Sequence, residues 1–326
     1  MSHAIRVHEN GGPEVMYWES VEVDNPGPDQ ALVRHNAIGV NFIDVYFRTG
    51  LYPPPQLPFT PGMEGAGVVE AVGDNVTDLK PGDRVAYASG PPGAYAESRL
   101  MAADRLVPLP DGITDEQAAG MMLKGMTAQY LLRRTFRVEP GHTVLIHAAA
   151  GGVGLIACQW AKHLGARVIG TVGSDAKAEL AAAHGCDHPI IYTREDFVER
   201  VKAITDGQGV EVVYDSVGQA TFLKSLDCLK PLGTIASFGQ SSGNVEPLNI
   251  GLLAQKGSLF LTRPTLFTYA AKREDLLAMA NDLFEVVRSG AVKIEVQQRF
   301  ALREAAEAHR ALEARSTTAS TVLLPG

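Results

Sequence analysis

The sequence contains only three cysteines in 326 residues, and it has neither a long apolar run nor a recognisable secretory signal. Cys158, Cys186 and Cys228 are far apart and form no CxxC pair, which argues against a disulfide framework and a structural zinc cluster. No apolar run approaches the ~18 residues of a membrane-spanning helix. The first residues also lack the basic and then apolar pattern of a secretory signal. We therefore expect a cytoplasmic protein with buried thiols and no membrane segment.

An excess of positive charge is also lacking. Lysine and arginine number 29, and aspartate and glutamate 37, which gives a formal charge of −8. This acidic balance argues against a nucleic-acid or membrane-surface role, because both need a basic patch. With 45% hydrophobic and 20% charged residues, the composition is that of a globular protein, and the length suffices for two domains.

Two patterns of secondary structure divide the chain. In residues 1–124, short apolar runs alternate with turns rich in proline and glycine, which is typical of a β-rich domain. In residues 125–264, strands alternate with helices, which indicates a parallel sheet with crossover helices. Residues 265–326 contain further strands, and we expect them to return to the first domain. The predicted fold class is therefore α/β, with a doubly wound parallel sheet and a β-rich domain.

The pattern also predicts the individual elements after residue 124. The strands of the second domain are Thr143–Ile146, Arg167–Thr171, Pro189–Tyr192, Glu211–Tyr214, Thr234–Phe238 and Ser258–Thr262. Its helices fall near 153–164, 175–184, 195–205 and 219–229. The tail is predicted to contain a helix near 273–289, a strand at Val292–Val296, a helix at Leu302–Leu312 and a strand at Ser320–Leu324.

A glycine-rich turn stands between the first strand of this series and the helix after it. The run from His147 to Gly154 matches the dinucleotide-binding pattern GxGxxG, with Ala149 at the first glycine position. Glycine lets the backbone approach a pyrophosphate, and the N–H groups and dipole of the helix start attract that anion. A turn needed only for helix–strand packing is the alternative. The residues predicted to bind the cofactor here are Ala150, Gly151, Gly152, Val153 and Gly154.

The end of the second strand bears on the choice between NAD and NADP. An acidic residue there would bind the adenine ribose hydroxyls of NAD, but this strand leads into Gly173 and Ser174. Ser174 and the cation of Lys177 suit a 2′-phosphate, although Lys177 as a solvated helix residue is the alternative. We expect Asp175 to cap the next helix. The sequence therefore favours NADPH, bound at Gly173, Ser174 and Lys177.

Beyond the glycine turn, the chain resembles the medium-chain dehydrogenases/reductases over its full length. More narrowly it is similar to the NADPH:quinone oxidoreductases, the zinc-free, zeta-crystallin-like branch. The segments that carry the resemblance are Asn41–Tyr46, Gly50–Pro53, Pro61–Gly67, Ala148–Gly154, Tyr214–Gly218 and Gly257–Pro264. The resemblance implies a GroES-like catalytic domain (1–124 and 265–326), a Rossmann NADPH-binding domain (125–264) and a homodimer.

The positions of zinc ligands in related alcohol dehydrogenases hold different residues here. Asn41 stands where those enzymes have a cysteine ligand, and Met63 stands where they have a histidine ligand. A carboxamide and a thioether are poor ligands for Zn²⁺, so we expect no metal and a structural hydrogen bond for Glu64. Without a Lewis acid, a quinone or an enone is easier to reduce than a ketone, because the product anion is delocalised. Such a site needs hydrogen-bond donors to the developing oxyanion.

The candidate catalytic donors are Asn41, Tyr46, Tyr52 and Arg263. Packing is the alternative role for each tyrosine, and a surface or interface ion pair is the alternative for Arg263. His147 is expected to be a structural imidazole. The resemblance further implies cofactor contacts from Asn41, Lys124, Thr127, Tyr192, Ser216, Phe238, Gly239, Ser241, Arg263 and Arg315.

These residues together predict an NADPH-dependent quinone reductase in which hydride passes from nicotinamide C4 to a bound quinone. An enone or alkenal double-bond reductase on the same scaffold is the nearest alternative. An NADPH- or RNA-binding, crystallin-like protein is a second alternative, against which the acidic balance counts. The strand Ser258–Thr262 lies at the expected edge of the cofactor sheet, where it could pair with a second subunit.

Overall fold

The structure is a computed structural model, and it describes residues 2–326. The chain forms two compact units. The first contains the residues up to Met126 together with Tyr269–Arg288 and Ile294–Gly326, and the second contains Thr127–Thr268 and Ser289–Lys293. Within residues 2–326, no helix is both long enough and apolar enough to cross a membrane. The three cysteines are buried free thiols, as predicted.

The strands and helices are numbered in chain order. The strands are β1 (Ser2–Val7), β2 (Met16–Val21), β3 (Gln30–Val40), β4 (Glu64–Val72), β5 (Arg84–Tyr87), β6 (Ser98–Ala102), β7 (Val107–Pro108), β8 (Thr143–Ile146), β9 (Arg167–Val172), β10 (His188–Ile191), β11 (Val210–Asp215), β12 (Leu229–Ser237), β13 (Phe260–Thr262), β14 (Val296–Ala301) and β15 (Ser320–Leu324). The helices are α1 (Phe42–Arg48), α2 (Asp115–Tyr130), α3 (Gly152–His163), α4 (Asp175–Ala183), α5 (Phe197–Ile204), α6 (Phe222–Ser225), α7 (Gly251–Gln255), α8 (Leu266–Tyr269), α9 (Arg273–Arg288) and α10 (Ala305–Glu313).

The first unit is built on a mostly antiparallel sheet. Its strand order is β14-β15-β3-β4-β5-β7, with β6 also paired to β3, while β1 and β2 form a separate hairpin. Only the β14–β15 pairing is parallel. Ala31 and Val33 on β3, Val69 on β4 and Val85 on β5 are buried together, because alternate residues of a strand face the same side. The architecture of this unit is that of the predicted β-rich domain.

The second unit is a parallel sheet with helices between its strands. The strand order is β10-β9-β8-β11-β12-β13, and every pairing is parallel. Leu145, Ile169, Val213 and Ile235 on its central strands are fully buried in one core. The chain order reverses between β8 and β11, which is where doubly wound sheets bind their ligands. The predicted Rossmann-type parallel sheet is thus confirmed.

The strand predicted at Val292–Val296 is wrong. The strand there is β14, which begins at Val296 and runs to Ala301. The N–H of Lys293 donates to the side-chain oxygen of Gln159 (2.8 Å), and its carbonyl accepts from the Gln159 amide (3.1 Å). Because this side chain of α3 occupies the backbone groups of Lys293, they are not paired in a sheet.

Two other elements are shorter than predicted. The helix predicted near 219–229 is α6 followed by a 3₁₀ turn at Leu226–Cys228. The edge strand β13 begins at Phe260 rather than at Ser258, whose φ of +57° lies in the left-handed region. A residue in that conformation leaves the extended path, so the strand starts after it.

Candidate functional site

The glycine turn after β8 leads directly into α3. Gly151 is the N-cap of α3 and supplies no side-chain hydrogen bond to the first turn, so the helix start can bind an anion through its N–H groups. A Cβ atom on Gly154 would lie 2.3 Å from the carbonyl oxygen of Ala148, whereas one on Gly151 would lie 3.2 Å from it. Gly154 is therefore required by packing, and Gly151 leaves the backbone open at the helix start.

His147 anchors this turn. Its Nδ1 lies 2.9 Å from Thr171 Oγ1, and its Nε2 lies 2.8 Å from Ser225 Oγ. The ring is fully buried, and burial lowers its pKa. The N–H of Ala149 also donates to the carbonyl of Thr171 (3.0 Å). His147 is thus a structural imidazole that ties the turn to β9 and α6.

The tip of β9 differs in one respect from the prediction. Ser174 is the cap of α4, and its Oγ accepts from the N–H of Lys177 at 3.4 Å. The expectation that Asp175 caps this helix is wrong, because Asp175 is the first helical residue and its carboxylate faces outward. There it accepts two hydrogen bonds from Arg194, of 2.6 and 2.9 Å, and this guanidinium lowers the pKa of Asp175.

Residues that follow β10 complete this region. The hydroxyl of the exposed Tyr192 lies 3.0 Å from where a Cβ on Gly173 would be, so only glycine lets the ring cover the strand tip so closely. The hydroxyl of Thr193 donates to the carbonyl of Gly173 (3.3 Å). The sequence analysis missed Arg194, although it lies two residues after the predicted strand Pro189–Tyr192, whose end adjoins that of β9.

Asp215 shapes the loop at the end of β11. This fully buried carboxylate accepts from the N–H groups of Val217 (2.7 Å) and Gly218 (3.0 Å) and from the hydroxyl of Thr221 (2.9 Å to Oδ2). No local pattern in the sequence predicts this role of Asp215. The loop is therefore rigid, and it fixes the backbone of the intervening Ser216.

The loops after β11 and β12 contact each other. The N–H of Ser241 donates to the carbonyl of Ser216 (3.2 Å), and a Cβ on Gly239 would lie 2.6 Å from the same oxygen. Arg263, just after β13, donates from Nη1 to the carbonyl of Ser237 at 2.8 Å. The predicted cofactor residues Ser216, Phe238, Gly239, Ser241 and Arg263 thus share the carboxyl ends of three adjacent strands.

In the first unit, three of the predicted donors lie around α1. Asn41 is the extended N-cap of this helix, and its backbone N–H donates to Asp44 Oδ2 (2.9 Å). The rings of Tyr46 and Tyr52 meet edge to face with their centroids 5.2 Å apart, and the N–H of Tyr52 donates to the carbonyl of Tyr46 (3.0 Å). Tyr46 is buried and Tyr52 is half-buried, so both rings pack in this unit. Packing does not prevent their hydroxyls from acting as donors, and that role stays a prediction.

Glu64, the first residue of β4, holds the side chain of Asn41. The Nδ2 of Asn41 donates to Glu64 Oε2 (2.8 Å), as does the ammonium of Lys124 (3.0 Å), and the N–H of Leu123 donates to Oε1 (2.7 Å). Glu64 and Lys124 are both buried. The hydrogen bond predicted for Glu64 is present. The ammonium of Lys124 pairs with this carboxylate, and its predicted contact with the cofactor stays a prediction.

The same geometry tests the donor set for zinc. Both oxygens of Glu64 already accept hydrogen bonds, one of them from a cation, and Asn41 offers a carboxamide. Met63 is buried and contributes a thioether. Among residues 2–326, His, Cys, Asp and Glu form no group of three or more that could hold a metal. A neutral carboxamide and a thioether are poor replacements for the thiolate and imidazole ligands of Zn²⁺, so the side chains at these positions do not fit a zinc ion.

Two further predicted contacts lie elsewhere on the chain. Thr127 is buried within α2. Arg315 is exposed in the turn after α10, with a φ of +56°, and its N–H donates to the carbonyl of Leu312 (3.1 Å). Their contacts with a cofactor stay predictions.

A parallel sheet with an open glycine turn at its switch point, joined to a β-rich unit, defines a two-domain nucleotide-dependent oxidoreductase of the medium-chain dehydrogenase/reductase class. Family models agree with this class: residues 27–111 match the alcohol dehydrogenase GroES-like domain, and residues 152–280 match the zinc-binding dehydrogenase family. The second name describes that family, not the ligands of this chain. Within the class, the chain belongs to the quinone oxidoreductase family.

Relatives match the chain from end to end. A quinone oxidoreductase of Pseudomonas aeruginosa is 56% identical, with 100% of both chains covered. The structure of Escherichia coli quinone oxidoreductase complexed with NADPH has a TM-score of 0.98 and 49% identity, over 99% of this chain and 100% of that one. A 2-haloacrylate reductase of a Burkholderia species is 48% identical, over 100% of this chain and 99% of the relative.

Proposed function

We propose that this protein is an NADPH-dependent quinone reductase that works without a metal ion. The proposal is based on the open start of α3 and on the cations of Lys177 and Arg194, which lie near the ends of β9 and β10. The chain also belongs to the quinone oxidoreductase family. The Escherichia coli quinone oxidoreductase, whose structure is a complex with NADPH, supports the same cofactor here.

The second unit would hold the cofactor. When bound, NADPH supplies a hydride from C4 of its nicotinamide. The N–H groups at the start of α3 would bind its pyrophosphate, and Lys177 and Arg194 would pair with its 2′-phosphate, since cations form strong hydrogen bonds with phosphate. The loops after β11 and β12, joined by Ser216 and Ser241, would hold the nicotinamide half.

The first unit would orient the acceptor. Asn41 gives one amide hydrogen to Glu64, which leaves its second amide hydrogen and its oxygen for a ligand. We assign the hydroxyls of Tyr46 and Tyr52 as further donors to the quinone oxygen. Fixed donors aimed at developing charge lower the barrier without a Lewis acid, because the charge on a reduced quinone is delocalised.

Carbon–carbon double-bond reduction is the second candidate, and the 48% identical 2-haloacrylate reductase favours it. A steady-state screen of NADPH and NADH against 1,4-benzoquinone, simple enones and 2-chloroacrylate separates the two. We expect the protein to reduce the quinone with NADPH and to reduce the enones and 2-chloroacrylate only slowly. Turnover of the enones or the haloacrylate without turnover of the quinone would replace the proposed activity with the second candidate.

We also propose a homodimer formed through the edge strand β13. The large apolar side chains that are exposed in the second unit include Leu232 (66%), Ile250 (78%), Phe260 (61%) and Leu261 (40%). An open edge with apolar side chains is suited to pairing with a second copy. Light scattering after gel filtration should give a dimer for the wild type and a monomer for Phe260→Lys. Tyr17→Lys, an exposed aromatic on β2, is the control and should stay dimeric.

The cytoplasm is the compartment that we propose. The three cysteines are free thiols, which fits a reducing environment. Fractionation of the producing cells should recover the activity with the cytosolic proteins, and recovery with periplasmic or secreted proteins would contradict this location.

A further inference from the structure

A chain of buried side chains leads away from Asn41 through the first unit. Asp44 Oδ2, which accepts the backbone N–H of Asn41, also accepts the hydroxyl of Tyr95 at 3.0 Å. The oxygen of Tyr95 lies 3.0 Å from Nε2 of His309 on α10. Asp44, Tyr95 and His309 are all at most 1% exposed. A continuous series of direct side-chain hydrogen bonds therefore connects the start of α1 with α10.

Arg48 sets the direction of these hydrogen bonds. Its Nη1 lies 3.0 Å from Nδ1 of His309, and a guanidinium can only donate. Nδ1 must therefore accept, so the ring proton is on Nε2 and is donated to Tyr95, which in turn donates to Asp44. Burial and the charge of Arg48 lower the pKa of His309 to about 3, so the ring stays neutral.

Arg48 itself is fixed at the other end. Its side chain is 1% exposed and makes a two-pronged ion pair with Glu313, of 3.0 and 2.8 Å, while its Nε donates to the carbonyl of Gly11 (3.1 Å). A guanidinium held by a fork of this kind has little freedom to rotate. The Nη1 group of Arg48 is thus held toward His309, and the hydrogen bonds from there run through Tyr95 to Asp44.

Burial of the Asp44 carboxylate is energetically unfavourable. Desolvation raises its pKa to about 7, against the opposing effects of the Asn41 N–H, the Tyr95 hydroxyl and the charge of Lys124, while Glu64 raises it further. Its Oδ1 is buried and has no hydrogen-bond partner within residues 2–326. A buried carboxylate with one oxygen left over lowers stability, which favours a functional reason for its presence.

We propose that Asp44 is a positioning residue for the reaction, which fixes the backbone of Asn41 while Glu64 fixes its carboxamide. The donor chain of Arg48, His309 and Tyr95 keeps the carboxylate of Asp44 in the one orientation that reaches the Asn41 N–H. The inference rests on the proposed function, in which Asn41 contacts the reactants. Asp44 itself touches neither reactant and acts only through Asn41 and α1.

Two variants and a matched control test this role. Asp44→Asn keeps the shape but brings an NH₂ group and no charge, and Tyr95→Phe removes one donor to Asp44. Tyr87→Phe is the control, because Tyr87 forms a similar buried pair with His35 (2.7 Å) that does not reach Asn41. We expect kcat for 1,4-benzoquinone to fall about tenfold or more in Asp44→Asn, and less in Tyr95→Phe, with KM nearly unchanged. Tyr87→Phe should keep the wild-type kcat.

The pH profile distinguishes positioning from a merely structural role. In the wild type, kcat should fall as the pH drops through about 7, since Asp44 then takes up a proton and binds the Asn41 N–H less strongly. Tyr95→Phe should move this limb to higher pH, because the ionised carboxylate loses a donor. Asp44→Asn should lack the limb. An unchanged limb in both variants would overturn the inference.

Amide hydrogen exchange in residues 41–48 gives a readout that does not depend on turnover. Exchange there should be faster in Asp44→Asn and in Tyr95→Phe than in the wild type and in Tyr87→Phe. If wild-type protein reduces neither quinone nor enone, the proposed function fails, and the exchange rates still decide whether Asp44 holds Asn41. Wild-type exchange and wild-type kcat in both variants would refute the role of Asp44 alone.

Discussion

The two units build their candidate sites from different materials. In the second unit the site is mainly backbone: the open start of α3 and the loop that brings Gly239 against the carbonyl of Ser216. In the first unit the site depends on buried charged side chains that are distant in sequence, such as Glu64 with Lys124. A backbone site should be sensitive to added volume, and a site of buried charges to lost charge.

The largest effect should come from removing charge in the first unit. Glu64→Ala would leave the ammonium of Lys124 buried without its carboxylate and would free the carboxamide of Asn41. We expect the free energy of unfolding to fall by about 3–5 kcal/mol, because an uncompensated buried charge is costly. Chemical denaturation of the purified protein measures this loss.

A double variant serves as the control for this experiment. Glu64→Ala combined with Lys124→Met removes both charges, so part of the lost stability should return. Catalysis should not return with it, because Asn41 still lacks its acceptor. A loss below about 1 kcal/mol in Glu64→Ala would mean that the pair is as weak as an exposed one.

The same contrast explains how much could be predicted from sequence. The strand, turn and helix around Gly151 are contiguous, so their pattern alone predicts both structure and ligand. Asp44, Tyr95 and His309 are separated by 51 and 214 positions, and only the folded chain brings them together. The misplaced strand at Val292–Val296 has the same origin, since a distant side chain, Gln159, occupies its backbone.

Added volume should have the next largest effect, and in the second unit. Gly154→Ala would place a methyl group 2.3 Å from the carbonyl of Ala148, whose own φ of +54° leaves the turn little room to yield. We expect a loss of about 1–3 kcal/mol in the free energy of unfolding and weaker NADPH binding. Thermal unfolding and fluorescence titration with NADPH measure the two effects.

Gly151→Ala provides the contrast to Gly154→Ala. Its methyl group would lie 3.2 Å from the Ala148 oxygen, so stability should change less. Because this position borders the open helix start, NADPH binding should still weaken. Equal losses of stability in the two variants would show that the whole turn, not Gly154 alone, is closed by packing.

Side-chain charge should matter less in the second unit, and only for the cofactor phosphate. Arg194→Ala and Lys177→Ala should each raise the KM for NADPH about tenfold, the equivalent of one charge-assisted hydrogen bond, and leave NADH nearly unaffected. Asp175→Asn should lower the KM for NADPH, since it releases Arg194 from its ion pair. Equal losses for both cofactors would remove these cations from the phosphate site.

Ser174→Ala should have the smallest effect, and it separates two roles of one hydroxyl. As a helix cap, Ser174 accepts from Lys177 at 3.4 Å, a long bond, so the loss of stability should be at most about 0.5 kcal/mol. As a phosphate ligand it would add a neutral donor, which binds less strongly than a cation. The KM for NADPH should therefore rise less than in Lys177→Ala. A rise in the KM for NADPH as large as that in Lys177→Ala would make this hydroxyl a principal phosphate ligand. The cofactor site of the second unit would then depend on side chains nearly as much as the site of the first unit does.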